Sequence, residues 1–114
     1  MRLTRVVWMG ICVVTLAAVA IAEKKPSKPG PGDAAKGKAV YEQCAPCHSA
    51  TSLEKKVGPG FKGLFRRAKL SNGKPVSDEN VTARINAGGE GMPPYKDILS
   101  DKERADLLAY LKTL

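Results

Sequence analysis

The spacing of apolar and polar positions predicts short helices separated by loops rich in glycine and proline. The first helix is predicted to begin after Asp33, a favourable N-cap residue, and to run to about Cys44. Val40 and Cys44 are four residues apart and share one face of this helix. Gly37 is costly inside a helix, which indicates either a close crossing by another helix or a tolerated glycine near the helix start.

The second predicted helix runs from Asp78 to about Asn86, because Ser77 can cap its N-terminus and a glycine follows its last turn. Acidic residues in its first turn suit the positive end of the helix dipole. Its apolar residues share one face: Val81 and Ile85.

The last predicted helix begins at Ser100, where the pattern Ser-x-x-Glu indicates a capping box with Glu103. Leucines recur along it at helical spacing: Leu107, Leu108, Leu111 and Leu114. We expect this helix to pack across the first one near Gly37 and Tyr41. No strand–helix–strand alternation is visible, so the pattern favours an all-α domain.

The N-terminal residues, 1–22, have the pattern of an export signal. Arg2 and Arg5 precede an uncharged apolar run that ends in a small-x-small cleavage pattern at Ala22. The run is close to the minimum length of a membrane-spanning helix, so an uncleaved anchor is the alternative. Cys12 lies inside the run and is interpreted as an ordinary apolar residue of the signal.

The segment that follows, residues 23–32, is rich in proline, glycine and lysine and is predicted to be a flexible linker. Residues 33–114 suffice for one domain, and a domain this small usually needs a disulfide, a metal or a covalent cofactor to support its core.

Basic residues outnumber acidic ones, with 19 lysines and arginines against 11 aspartates and glutamates and a net charge of +8. The lysines are scattered, which indicates either a solvated surface or a basic face that attracts acidic protein partners. Nucleic acid is not expected as a partner, because the chain carries an export signal and lacks aromatic residues among its basic ones. Weak attraction of the basic linker to anionic membranes remains an alternative.

The strongest chemical signal is the segment Cys44-Ala45-Pro46-Cys47-His48. The order Cys-x-x-Cys-His is the attachment signature of a c-type haem, in which the thiols bond the porphyrin and the histidine binds the iron. A thioredoxin-like dithiol would require a βαβ context, and a zinc site would require four ligands. The βαβ context is missing, because no strand–helix–strand alternation is visible. The zinc ligands are missing, because Cys12 is the only other cysteine and His48 is the only histidine.

A second chemical segment combines three glycines with Met92 and the prolines that follow it. Pro93 biases Met92 toward an extended backbone and prevents it from continuing a helix. Methionine is usually a core residue. Beyond the signal, however, Met92 is the only methionine, and His48 is the only histidine of the chain. If the iron has a strong second axial ligand of the usual kind, Met92 is the one candidate.

Together these segments resemble the class I cytochromes c, which are small exported proteins with one haem. The resemblance covers residues 33–114 and includes the segment GPGFKGLF from Gly58, the segment GMPP from Gly91 and the leucine-rich last helix. It implies an all-α cytochrome c fold, with three to five short helices around one covalently attached haem c.

The same resemblance implies that Cys44 and Cys47 carry the haem and that His48 and Met92 bind its iron. It also implies that Pro59 offers a carbonyl to the ring N–H of His48.

The surroundings of the haem propionates are less well specified. The resemblance implies that Arg67 lies near one of them. Some family members place a tryptophan on a propionate, whereas the only tryptophan here, Trp8, lies in the signal.

The implied function is one-electron transfer between transient redox partners with acidic docking surfaces, by a monomer in the periplasm or another exported location. Catalysis is not expected, because both axial positions of the iron would be filled. One alternative is a haem-based sensor or weak peroxidase, in which Met92 leaves the iron. Another is a haem subunit of a membrane respiratory complex, which would retain the N-terminal segment as an anchor.

Overall fold

The computed structural model describes residues 30–114, and three α-helices and one 3-10 turn form in this part of the chain. In chain order they are α1 (Ala34–Tyr41), the 3-10 turn (Leu64–Arg66), α2 (Asp78–Ala87) and α3 (Asp101–Leu111). The described residues form two isolated β-bridges and no longer strand pairing. The predicted all-α fold with three to five short helices is confirmed.

The predicted export signal, residues 1–22, and the linker residues 23–29 lie outside the described part of the chain. Between residues 30 and 114, every helix is too short or too polar to span a bilayer. The end of the linker lies against the domain, since a Cβ added at Gly32 would overlap the carbonyl of Ala105 in α3.

Helices α1 and α3 cross at Gly37. A Cβ added at Gly37 would overlap the carbonyl oxygen of Asp106 and lie 2.8 Å from the Cβ of Tyr110. The close crossing is therefore the correct interpretation of this glycine. The rings of Tyr41 and Tyr110 pack together beside it, with their centroids 5.4 Å apart.

Helix α1 ends at Tyr41, before its predicted end at Cys44. Beyond Tyr41 the hydrogen bonds shorten to the i to i−3 pattern, and the Cys44 N–H donates to the Tyr41 carbonyl at 2.7 Å. Pro46 lacks an N–H and disfavours helical backbone at Ala45, so turns rather than a helix lead into the Cys-x-x-Cys-His segment.

Helices α2 and α3 begin at their predicted caps. The Ser77 hydroxyl accepts from the backbone of α2, and Ser100 and Glu103 form the predicted capping box of α3. Helix α2 ends at Ala87 because the next residue, Gly88, has a φ of +64°, a conformation that side chains disfavour.

The buried apolar residues form one cluster that joins all three helices to the loops: Tyr41, Leu64, Val81, Ile85, Leu99, Leu107 and Leu111. The predicted inner face of α2 is confirmed. Of the predicted leucine stripe of α3, Leu107 and Leu111 are buried, whereas Leu108 and Leu114 pack at the edge of the cluster.

A turn at Asn72-Gly73 lies between α1 and α2. The Leu70 N–H donates to the Lys74 carbonyl at 2.8 Å, and one antiparallel bridge joins Lys69 to Pro75. This turn places Leu70 on the wall of the cavity described below.

Candidate cofactor site

A cavity of about 680 Å³ lies between the turns after α1, the loops between the helices and the inner faces of α2 and α3. Its volume is within the range of roughly 300–1,000 Å³ that is typical of ligand pockets. Four of the predicted site residues line it together: Cys44, Cys47, His48 and Met92. Pro59 and Arg67 also line it.

The imidazole of His48 is held in one orientation. Its Nδ1 lies 2.8 Å from the carbonyl oxygen of Pro59, so Nδ1–H donates and Nε2 keeps its lone pair. The ring of Phe61 stacks on the imidazole, with centroids 4.3 Å apart and planes 17° apart. His48 thus offers one basic nitrogen to a metal at the cavity wall.

Gly58 allows the Pro59 carbonyl to approach the imidazole. A Cβ added at Gly58 would overlap the His48 ring and lie 2.7 Å from its Nδ1. The Gly58 N–H also donates to the Cys47 carbonyl at 2.8 Å. Any side chain at this position would push the loop away from His48.

Tyr41, at the end of α1, supports the same segment through a contact that the sequence did not predict. Its hydroxyl donates to the His48 carbonyl at 2.6 Å, and the side chain is 6% exposed. Burial raises the pKa of the Tyr41 phenol, and Tyr110 raises it further. The phenol therefore stays protonated and remains a donor to His48.

Cys44 and Cys47 are free, partly buried thiols on the cavity wall. Burial raises the pKa of the Cys44 thiol, and the neighbouring Cys47 raises it further. A reactive dithiol of the thioredoxin type depends on a lowered thiol pKa, so this environment does not favour that alternative.

Met92 reaches the cavity from a tight loop after α2. Its backbone N–H donates to the Gly89 carbonyl at 3.1 Å, and the Gly89 N–H donates to the Met92 carbonyl at 2.9 Å. Three glycines here adopt positive φ: +64° at Gly88, +114° at Gly89 and +86° at Gly91. The partly buried Met92 side chain packs against the core cluster.

Arg67 lines the cavity and stabilises the loop that carries Pro59. Its guanidinium donates to the carbonyl oxygens of Gly60 at 2.8 Å and Lys62 at 2.6 Å. One Nη2 atom makes both bonds, so other N–H groups of the guanidinium stay available to an anionic group in the cavity.

Two further cavity residues, Arg84 and Tyr95, were missed in the sequence analysis. The Tyr95 N–H donates to the Ile85 carbonyl at 3.0 Å and so returns the Met92 loop to α2. The aromatic residue directly after Pro93-Pro94 was the available signal for Tyr95. Arg84 lies six residues from its partner Glu90, a spacing without a recognised pattern.

These residues fit a covalently attached haem. Two thiols and a free imidazole nitrogen share one wall of the cavity, as thioether attachment and iron binding require. A flat apolar ring needs apolar walls, and the core cluster supplies them: Leu64, Val81, Ile85, Leu107 and Leu111.

Comparisons with known proteins agree with a haem cofactor. The family profile described as cytochrome C oxidase, cbb3-type, subunit III matches residues 32–111. A cytochrome c2 from Blastochloris viridis is 31% identical over 97 residues, which cover 70% of this chain and 76% of the relative. A cytochrome c2 from Agrobacterium tumefaciens (strain II Chrys) is 40% identical over 63 residues, 54% of this chain, and the match spans only 53% of that relative.

A solved structure shows the same fold. Cytochrome c6 from the diatom Phaeodactylum tricornutum superposes with a TM-score of 0.53 at 23% sequence identity, covering 72% of this chain and 93% of the diatom chain. The fold and the site define a protein built around a covalent porphyrin. The chain belongs to the class I cytochrome c family and carries one covalently bound haem c.

Proposed function

We propose that this cytochrome transfers single electrons between protein partners, with its haem iron bound by His48 and Met92. The observation that carries the proposal is that both side chains line the same apolar cavity as Cys44 and Cys47. When bound, the haem supplies one-electron chemistry through the Fe(III)/Fe(II) couple. The chain would contribute the two iron ligands and the surroundings that keep them in place.

The contacts of His48 support a role in which little moves during electron transfer. Its ring is hydrogen-bonded to Pro59 and stacked on Phe61, and the residue is 9% exposed. Its carbonyl is bonded to the buried Tyr41. A ligand held on both ring and backbone has little freedom to reorganise when the iron changes charge, and a small reorganisation lowers the barrier to exchange.

The thioether of Met92 and the apolar walls favour a raised reduction potential. A soft sulfur ligand and a buried site both favour the reduced, less charged iron over the oxidised one. The cavity walls include Val81, Ile85 and Leu107, and Leu107 is only 1% exposed.

The optical spectrum of the oxidised protein tests this ligation. We expect an iron–thioether charge-transfer band at neutral pH and its loss in Met92→Ala, with a lower reduction potential. Leu108→Ala is the control, because Leu108 is apolar and partly buried but does not line the cavity. A parent protein without the band would show that Met92 is not the ligand.

We propose that the partners are redox proteins with acidic docking surfaces, met outside the cytoplasm by a monomer. The cavity rim supports docking by an acidic surface, because Lys55 and Lys69 are exposed there and Val57 adds an exposed apolar group. Charge reversal by Lys55→Glu should slow association with an acidic partner, and low salt should enlarge the effect. Lys38→Glu is the matched control, since Lys38 is exposed on α1 away from the rim. Equal rates for both variants would argue against this docking face.

A second candidate follows from the name of the matching family, cbb3-type oxidase subunit III. In this case the haem domain would be held in a membrane respiratory complex by an uncleaved N-terminal segment. Affinity purification of the full-length protein from membranes tests it. Stable co-purification with oxidase subunits would support this candidate, whereas a free, soluble chain that begins at Glu23 would support the carrier.

A further inference from the structure

We infer that Arg84 is a positioning residue that fixes the Met92 loop, Gly88 to Met92, by binding Glu90 and the carbonyl of Gly89. This role rests on the proposed function above, in which Met92 binds the iron. Arg84 itself lies in the last turn of α2 and does not need to touch the iron.

The Met92 loop is not stabilised by its own sequence. Three of its residues are glycines with positive φ, and glycine loses more backbone freedom on folding than any other residue. Glu90 also has a positive φ, +53°, a conformation that is disfavoured for a residue with a side chain. Within the loop, only the paired backbone bonds between Gly89 and Met92 close the turn.

The start of the loop and the segment that follows its end are both joined to α2 through the backbone. The Gly88 N–H donates to the Arg84 carbonyl at 2.8 Å, and the Tyr95 N–H donates to the Ile85 carbonyl at 3.0 Å. Ile85 belongs to the buried core, so α2 is a rigid base for both ends. These bonds leave the tip of the loop, around Glu90, without backbone support from α2.

The Arg84 side chain supplies that support. Its Nη2 lies 3.1 Å from Glu90 Oε2 and 3.4 Å from the Gly89 carbonyl oxygen. Arg84 is more enclosed than its partner, with side-chain exposures of 27% and 82%. Among residues 30–114, Glu90 forms no other ion pair, so this contact is what joins the strained residue of the loop to α2.

Loosening this contact should let Met92 leave the iron more often without unfolding the domain. The rate at which imidazole enters the oxidised holoprotein measures that opening. We expect Arg84→Gln to raise the rate about tenfold and Glu90→Gln about threefold, as loss of a charge-assisted hydrogen bond and of an exposed ion pair implies. The double variant should be no faster than Arg84→Gln, because Glu90 acts through Arg84. Arg84→Lys keeps the positive charge, so its imidazole rate should lie between the rates of the parent and of Arg84→Gln.

Arg104→Gln is the matched control. Arg104 also donates to two carbonyls, those of Lys96 and Leu99, and pairs with Asp101, but it does not line the cavity. This variant should lower the stability of the protein and leave the imidazole rate unchanged.

Three results would overturn the role of Arg84: an unchanged rate in Arg84→Gln, an equal rise in Arg104→Gln, or additive effects of Arg84→Gln and Glu90→Gln. The iron–thioether band of the parent separates this failure from failure of the proposed function. A parent with the band and an unaffected Arg84→Gln variant refutes only the positioning role, whereas a parent without the band refutes both.

Discussion

The hydroxyl of Tyr41 provides a sharp test of how the Cys-x-x-Cys-His segment is held. It donates to the His48 carbonyl at 2.6 Å, and both residues are buried. Among the described residues, this carbonyl accepts no other hydrogen bond. Tyr41→Phe keeps the ring and its packing on Tyr110 and removes only the hydroxyl.

The expected cost of Tyr41→Phe is about 1–2 kcal/mol, between the net worth of one hydrogen bond and the full penalty for an unpaired buried carbonyl. No cavity cost is added, because the aromatic ring remains in place. Chemical denaturation of the oxidised holoprotein, followed by far-ultraviolet circular dichroism, measures the change in the free energy of unfolding.

Tyr110→Phe is the matched control for this measurement. The ring of Tyr110 packs on the ring of Tyr41, but the Tyr110 hydroxyl makes no hydrogen bond within residues 30–114. We expect this variant to change the free energy of unfolding by less than about 0.5 kcal/mol. Equal stability of Tyr41→Phe and the parent, or equal losses in both variants, would refute the role of the bond.

Two further predictions concern the joint between α1 and α3. Gly37→Ala should destabilise the protein, although alanine normally favours a helix by about 1 kcal/mol, because the new Cβ would overlap the α3 backbone. Thermal unfolding should show a lower Tm for this variant. Gly30→Ala should leave the Tm unchanged, because no atom lies within 4 Å of the added Cβ at that position. A stabilised Gly37→Ala would contradict the close crossing. The pKa of Asp106 is lowered from 3.8 by its bond to Lys102 and by the Asp33 N–H, so its contribution to stability is full above pH 3.8 and is lost as the pH falls through the lower pKa of the folded state. Denaturation across acidic pH should therefore show the advantage of the parent over Asp106→Asn shrinking in that window, and an advantage independent of pH would contradict it.

Features that depend on near neighbours in the chain were predictable. The caps at Ser77 and Ser100 satisfy N–H groups within three residues, so their sequence patterns are sufficient. The attachment segment is equally local, because two thiols and an imidazole within five positions define the chemistry by themselves.

Features that depend on distant segments were predictable only in part. The packing of α3 across α1 near Gly37 and Tyr41 is predicted and confirmed, whereas the contacts that form there depend on the three-dimensional fold. The bond from the Asp33 N–H to the Asp106 carboxylate, at 2.7 Å, joins positions 73 residues apart, and no local pattern marks it. The predicted end of α1 at Cys44 is wrong, because Pro46 disfavours helical backbone at Ala45 and α1 ends at Tyr41.

The site was predictable in its chemistry and in one support, the Pro59 carbonyl at the His48 ring, but not in its other supports. The sequence indicated which groups could attach a haem and bind its iron. Their fixation depends on the Tyr41 hydroxyl and the Arg84 guanidinium, each of which reaches a partner through the three-dimensional fold. Such supports become visible only when the side chains are placed in space.

If Cys44 and Cys47 attach the one haem that fills this cavity, the haem must stay on their peptide after proteolysis. The most direct test is mass spectrometry of proteolytic peptides from protein made alongside a haem-attachment system. We expect one haem mass on the peptide that contains Cys44 to His48, and its loss when both cysteines are changed to alanine. A compact, colourless protein whose Cys44–His48 peptide carries no added mass would show that these thiols attach no haem.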